Sequence, residues 1–242
     1  MSDTWYVAIW LFLLGSCGGV ALESTWQSAV DRHQPRDRRA GILFLPLNPL
    51  YGAATVVGAV ALRPLAANPV LVFLVGAVLF AALEYLSSLV LERAFGVVFW
   101  DYGDRPFNLN GRVCAEFAGY WGLLGLALVY VADPALRVLI EGLPRPAGDL
   151  LAGLLLTATV GAAIATTLGF ARLRRRIADR LAGRSGSART RWQRLADRVA
   201  PPAAMLSTFP RMNLAARYRR LLVTPRRAAP VRMSGRARRI DR

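Results

Sequence analysis

The chain has 242 residues, 55% of them hydrophobic, and a formal net charge of +16, with a positive mean hydropathy of +0.35. That combination excludes an even mixture of apolar and charged residues and predicts segments of sharply different character. One histidine, His33, and two cysteines, Cys17 and Cys114, leave little material for a His-based metal site, an acid–base triad or a disulfide framework.

Apolar runs that reach the ~20 residues needed to cross a ~30 Å hydrocarbon core fall at 5–29, 42–62, 69–91, 113–132 and 148–170. The fold class they predict is all-α, a polytopic helical membrane protein with five transmembrane helices. A membrane domain is expected over 1–170 and a basic tail over 171–242. A water-soluble chain made of such runs would have almost no amphipathic surface. The leader MSDT holds an acid and no base, unlike a secretory signal, so the first run is expected as a retained helix.

Basic residues in short loops stay on the cytoplasmic side. The first joint, "VDRHQPRDRRAG", carries Arg32, Arg36, Arg38 and Arg39; the third carries Arg93, Arg105 and Arg112; twenty-one arginines follow Phe170. The other side has only Arg63, Arg137 and Arg145. An N-terminus outside and a C-terminus in the cytoplasm bring the basic segments together, and an odd number of spans agrees with that.

With 1.5 Å of rise per residue, Glu23 lies roughly 27 Å along helix one, Glu84 about 22 Å along helix three, and Glu116 about 6 Å into helix four. On the predicted topology all three fall in the cytoplasmic half. Helix two starts through "GILFLPLNPLYG", where Pro46 and Pro49 remove backbone donors, so its first part is expected to be kinked or unwound.

The string "WDYGDRPFNLNGRVCAEFAGYWG", residues 100–122, lies between helices three and four. Trp100 and Tyr102 suit a membrane interface. Asp101, Asp104 and Arg105 form a local charge set. Pro106 is expected to stop the preceding helix, Asn108 or Asn110 to cap helix four, and Gly111 to permit a close approach. Arg112 can pair with Glu116, four residues on, or reach a glutamate of a neighbouring helix.

These elements resemble the ABC-transporter type IV (CmpB-like) family of integral membrane proteins. The features that carry the likeness are "WDY" at Trp100 to Tyr102, "NLNGR" at Asn108 to Arg112 and "YWG" at Tyr120 to Gly122. Glu23 late in helix one, Gly41, Pro46, Pro49, Tyr51 and Gly52 around the start of helix two, and "LEY" at Leu83 to Tyr85 add to it. The likeness covers about residues 5–135. It implies a permease component of a bacterial cytoplasmic membrane. The chain has no lysine and hence no Gly-x4-Gly-Lys phosphate loop, so the resemblance implies a separate ATP-binding subunit. No cofactor is implied.

Glu84, Glu116, Glu23, Arg112, Asn108 and Asn110 are the candidate substrate-binding or ion-coupling residues, with Trp100, Asp101, Tyr102 and Arg105 forming the cytoplasmic loop. Buried intramembrane acids are costly and mark function by default; the competing reading is a hydrogen bond or ion pair that fixes helix packing. On that second reading the protein is a membrane scaffold or regulatory anchor. In the tail, "RIADRLA" at 176–182 recurs as "RLADRVA" at 194–200. Trp192, Leu195 and Val199 would form an apolar stripe facing the bilayer with anionic headgroups around it, while the proline-rich last forty residues read as disordered. Besides lipid and the ATP-binding subunit, a second copy of the chain is a candidate partner. No stacking or groove-reading motif accompanies the charge, which argues against nucleic acid.

Overall fold

The computed structural model describes residues 3–30, 42, 45–96 and 98–181. It is an all-α polytopic bundle in which four helices are long and apolar enough to cross a membrane. The order is α1 (Asp3–Val30), α2 (Pro49–Leu62), α3 (Pro69–Phe95), a hairpin of β1 (Asn108–Leu109) and β2 (Val113–Cys114), α4 (Ala115–Ala127), α5 (Asp133–Glu141) and α6 (Arg145–Leu181). The first joint, with His33, and the tail beyond 181, with the second copy of its repeat, lie outside the described residues.

The expected second span, 42–62, becomes a shorter helix. Its apolar stretch is Pro49–Leu65, with a 3-10 turn at Arg63–Leu65, because Pro49 takes the first helical turn and the Asn48 side chain accepts from Leu50 N at 3.1 Å. The lead-in is unwound, as its prolines predict. Ile42 N donates to Leu47 O at 2.8 Å, and Asn48 N to the Ser16 carbonyl in the middle of α1 at 3.1 Å. Non-helical backbone at that depth is thus covered by protein, the condition under which a membrane tolerates it.

α2 packs back along α1 by small residues. Side chains at Gly15 and Gly19 would collide with Thr55 and Tyr51, and one at Gly52 with Ser16 Oγ and the Phe12 carbonyl. This Gly-x-x-x-Gly surface lets the two backbones approach closely, the usual route to tight helix packing where lipid supplies no hydrophobic drive. On α3 and α4, Gly76 faces Gly122 and Gly125.

Three boundaries differ from expectation. Helix three ends at Phe95, where Gly96 adopts φ 68 and its N–H donates to Glu92 O. That left-handed cap does what was expected of Pro106 ten residues later. Helix four continues past 132 as a π turn at Leu128–Ala132 into α5. Pro134 lacks the N–H an α-helix needs there, and the wider turn accommodates it without ending the rod. The span expected over 148–170 is a longer helix, which starts at Arg145 and passes position 170 to reach Leu181.

α1, α3 and α6 run in one direction, α2 and α4–α5 in the other. At one end Asp3 pairs with Arg145 and Tyr130 donates to Ala66 O. At the other, Phe170 of α6 packs 5.2 Å from Phe95 and 5.6 Å from Phe99, beside the hairpin. One apolar core joins Tyr6, Trp10, Leu13, Leu47, Ala59, Ile140 and Ala152; a second joins Ala54, Leu62, Val72, Phe80, Trp121 and Leu128. Val70, Leu74 and Val78 on α3 and Leu150, Leu154 and Ile164 on α6 stay exposed, as side chains facing lipid do.

Candidate functional site

The site grows from a polar face on an apolar helix. Glu84 and Ser88 are buried on α3, and with Glu92 they recur every four residues, which places them in a line on one face. The segment between α3 and α4 folds onto that line.

Its shape comes from the "NLNGR" stretch. Asn110 and Gly111 both have left-handed backbone, φ 55 and 68, and Arg112 N donates to Leu109 O at 3.0 Å. These are the features of a two-residue turn between antiparallel strands, for which Asn-Gly is the favoured pair. β1 and β2 pair Asn108 with Cys114 and Leu109 with Val113. The expected helix-capping role of Asn108 or Asn110 is therefore overturned: α4 starts after Cys114 without a side-chain cap. Asn108 stitches the loop instead, donating to Gly103 O and Arg105 O and accepting from Gly111 N. Asp101 accepts from Gly103 N at 2.8 Å, and Tyr102 N donates to Gly111 O at 2.7 Å.

The stitched loop then binds α3. Arg112 Nη1 donates to Ser88 Oγ at 3.0 Å, its Nη2 pairs with Glu92, and its guanidinium lies 5.8 Å from the Tyr85 ring. Of the two expected partners for Arg112, the glutamate on a neighbouring helix is the one it meets; Glu116 instead pairs with Arg105 at 3.0 Å. Asn110 Nδ2 donates to the Tyr85 hydroxyl at 2.9 Å, and Trp100 Nε1 to Arg112 O at 2.9 Å.

Tyr102 does not face the membrane interface as expected. It turns inward and donates its hydroxyl to Glu84 Oε1 at 3.0 Å, while its ring stacks on Phe117 at 4.6 Å. Burial, and then the Glu84 carboxylate beside it, raise the pKa of this phenol above its ordinary value, so it keeps its proton and remains a donor. Trp121 Nε1 of α4 donates to Glu84 Oε2 at 2.9 Å. The same indole lies 5.6 Å from the Tyr51 ring, and Tyr51 donates to Glu23 at 3.1 Å. Glu23 and Glu84 are thus joined through Tyr51 and Trp121, side chains of α2 and α4.

Of the candidates, Glu84, Glu23 and Tyr102 converge on this cluster. Arg112, Asn108, Asn110, Trp100 and Asp101 build the loop that brings Tyr102 to it. Glu116 and Arg105 form an exposed pair apart from it. Tyr51, Trp121, Ser88, Tyr85 and Glu92 were not singled out as site residues, although the four-residue spacing from Glu84 to Ser88 to Glu92 was available to find two of them.

Glu84 is only 5% exposed, and both its oxygens are met by neutral donors; among the described residues no arginine pairs with it. A carboxyl group held in this way can take up a proton or face a cation without first breaking an ion pair. Among the described residues no group of three His, Cys, Asp or Glu gathers to hold a metal ion. Cys17 and Cys114 are both free.

The model of a family described as "Putative ABC-transporter type IV" matches residues 10–167. The chain belongs to that family. The matched region contains Glu23, Tyr51, Glu84, the whole hairpin loop and Trp121. Membership makes this multi-pass integral membrane protein a permease-type component rather than an enzyme. No curated protein and no solved structure matches the chain.

Proposed function

We propose that the chain is the permease component of a transporter for a small solute, with Glu84 at its working centre. On this reading the membrane is crossed five times, α2 making the short second crossing with its unwound lead-in. The N-terminus lies outside, and the hairpin end and basic tail lie in the cytoplasm of a bacterial cell. A separate ATP-binding subunit supplies the energy, and the tail binds anionic headgroups. The observation that carries the proposal is Glu84 itself. It is buried in a membrane-length helix and held by Tyr102 from the loop and Trp121 from α4, so movement of the loop would change the environment of the acid directly.

The same bonds also suit a scaffold in which Glu84 only packs helices, and one experiment separates the two. Glu84→Gln keeps an oxygen that accepts from Tyr102 or Trp121 but removes the charge. In a host whose growth depends on this chain, the transport reading predicts that the variant accumulates in the membrane at nearly normal yield and fails to support growth. Normal growth would sink it. A variant that does not accumulate would assign the glutamate to packing.

A further inference from the structure

Residues 11–23 of α1 and 72–84 of α3, 61 positions apart, carry the same residue at six places: Phe12 and Phe73, Leu13 and Leu74, Gly15 and Gly76, Ala21 and Ala82, Leu22 and Leu83, Glu23 and Glu84. In two apolar helices such matches mean little alone, but the contacts to the following helix repeat with them, there 70 positions apart. A Cβ on Gly52 of α2 would collide with the carbonyl oxygen and ring of Phe12, and one on Gly122 of α4 with the carbonyl oxygen and ring of Phe73. Gly15 packs on Thr55 as Gly76 packs on Gly125. The residue before Gly52 is Tyr51, which donates to Glu23 at 3.1 Å; the residue before Gly122 is Trp121, which donates to Glu84 at 2.9 Å.

These equivalences make α1–α2 and α3–α4 two copies of one helical hairpin, each holding an acid of its first helix by an aromatic donor of its second. α1 and α3 run in the same direction, so the repeat is a parallel one. The rings of Tyr51 and Trp121, counterparts in the two copies, lie 5.6 Å apart. The boundary between the copies therefore passes between these two side chains, and each of them is bonded to a glutamate. The copies differ in the loop, where Tyr102 brings a further donor to Glu84. Many transporters built from internal repeats place their solute and coupling-ion sites at the boundary between the repeats.

We propose that Glu23 with Tyr51 is the second half of the working site, the counterpart of Glu84 with Trp121, and that the solute is handled across the boundary by both copies. The repeat itself stands on sequence and contacts; the shared role of the two acids rests on the transport reading.

Glu23→Gln and Glu84→Gln, each in the full chain, are compared in the host whose growth depends on it, with membrane yield and thermal stability in detergent measured for both. Both variants are expected to accumulate at nearly normal yield and stability and to fail to support growth. If Glu84→Gln fails in this way while Glu23→Gln grows normally, the shared site is overturned and the transport reading stands. If Glu84→Gln grows normally or does not accumulate, the transport reading falls and the shared site falls with it. Should Glu23→Gln itself not accumulate, Tyr51→Phe decides, because it keeps the ring and removes only the donor to Glu23. Slowed growth at normal yield then supports the proposal. Normal growth, or a second failure to accumulate, assigns this half to packing and overturns it.

Discussion

The two ends of the bundle are built by different rules. At the Asp3 end the chain turns tightly. The 3-10 turn at Arg63–Leu65 leads to Asn68, which caps α3 by accepting from Val70 N and Leu71 N. Arg137 holds Asp133 four residues back on its own helix. The long-range bonds there, Arg145 to Asp3 and Tyr130 to Ala66 O, are exposed. At the hairpin end the long-range bonds reach groups withdrawn from solvent: Glu84 to Trp121 spans 37 positions, Arg112 to Ser88 spans 24, and Tyr51 to Glu23 spans 28. Local bonds of the first kind form whenever a helix does. Those of the second kind exist only when three or more elements are in place together, so they report on arrangement and change with it. An end that has to sense or undergo a rearrangement needs bonds of that kind.

The comparison breaks first where the two ends share a support, the α1–α2 contact. Gly52→Val should force α2 away from Ser16 and Phe12 of α1 and cost about 3 kcal/mol, the upper part of the range for overpacking. The loss of thermal stability in detergent should be visible whichever end is probed. The contrast within the hairpin end itself is smaller and sharper. Arg112→Ala strips partners from Ser88 and Glu92 in a partly buried seam and should cost about 1–3 kcal/mol. Arg105→Ala removes only an exposed pair with Glu116, a loss of about 0.5 kcal/mol or less after solvent screening. Limited proteolysis of the loop should follow the same order, and equal sensitivity of the two variants would show that the seam does not hold the loop.

How far the sequence reached can be judged from particular residues. Four apolar runs announced the long helices because lipid demands length and uniform apolarity, and both can be counted. The prolines at 46 and 49 announced the unwound lead-in for an equally local reason. Asn108 and Asn110 were misread because an Asn before an apolar helix can cap it or turn a hairpin. The two-residue strands on either side are too short to show the alternation that would decide between these. The span expected to end at 132 instead passes through a π turn at Leu128–Ala132 into α5, and Tyr130 within that turn donates to Ala66 O, a contact 64 positions away that no local pattern announces. Glu84 was recognisable as costly, but not its partners. An indole on α4 and a phenol in a loop look the same in sequence whether they face lipid or a carboxylate, and only the fold brings them within 3 Å of it.

The central claim is that the loop and the intramembrane acid are bonded to each other through Tyr102 and Glu84. A double-mutant cycle on thermal unfolding in detergent, with Tyr102→Phe, Glu84→Leu and the double variant, measures that bond directly. The two losses should be non-additive, with a coupling of about 1 kcal/mol or more, as for groups in one buried hydrogen-bonded network. Losses that add to within about 0.3 kcal/mol, the behaviour of independent sites, would contradict the account.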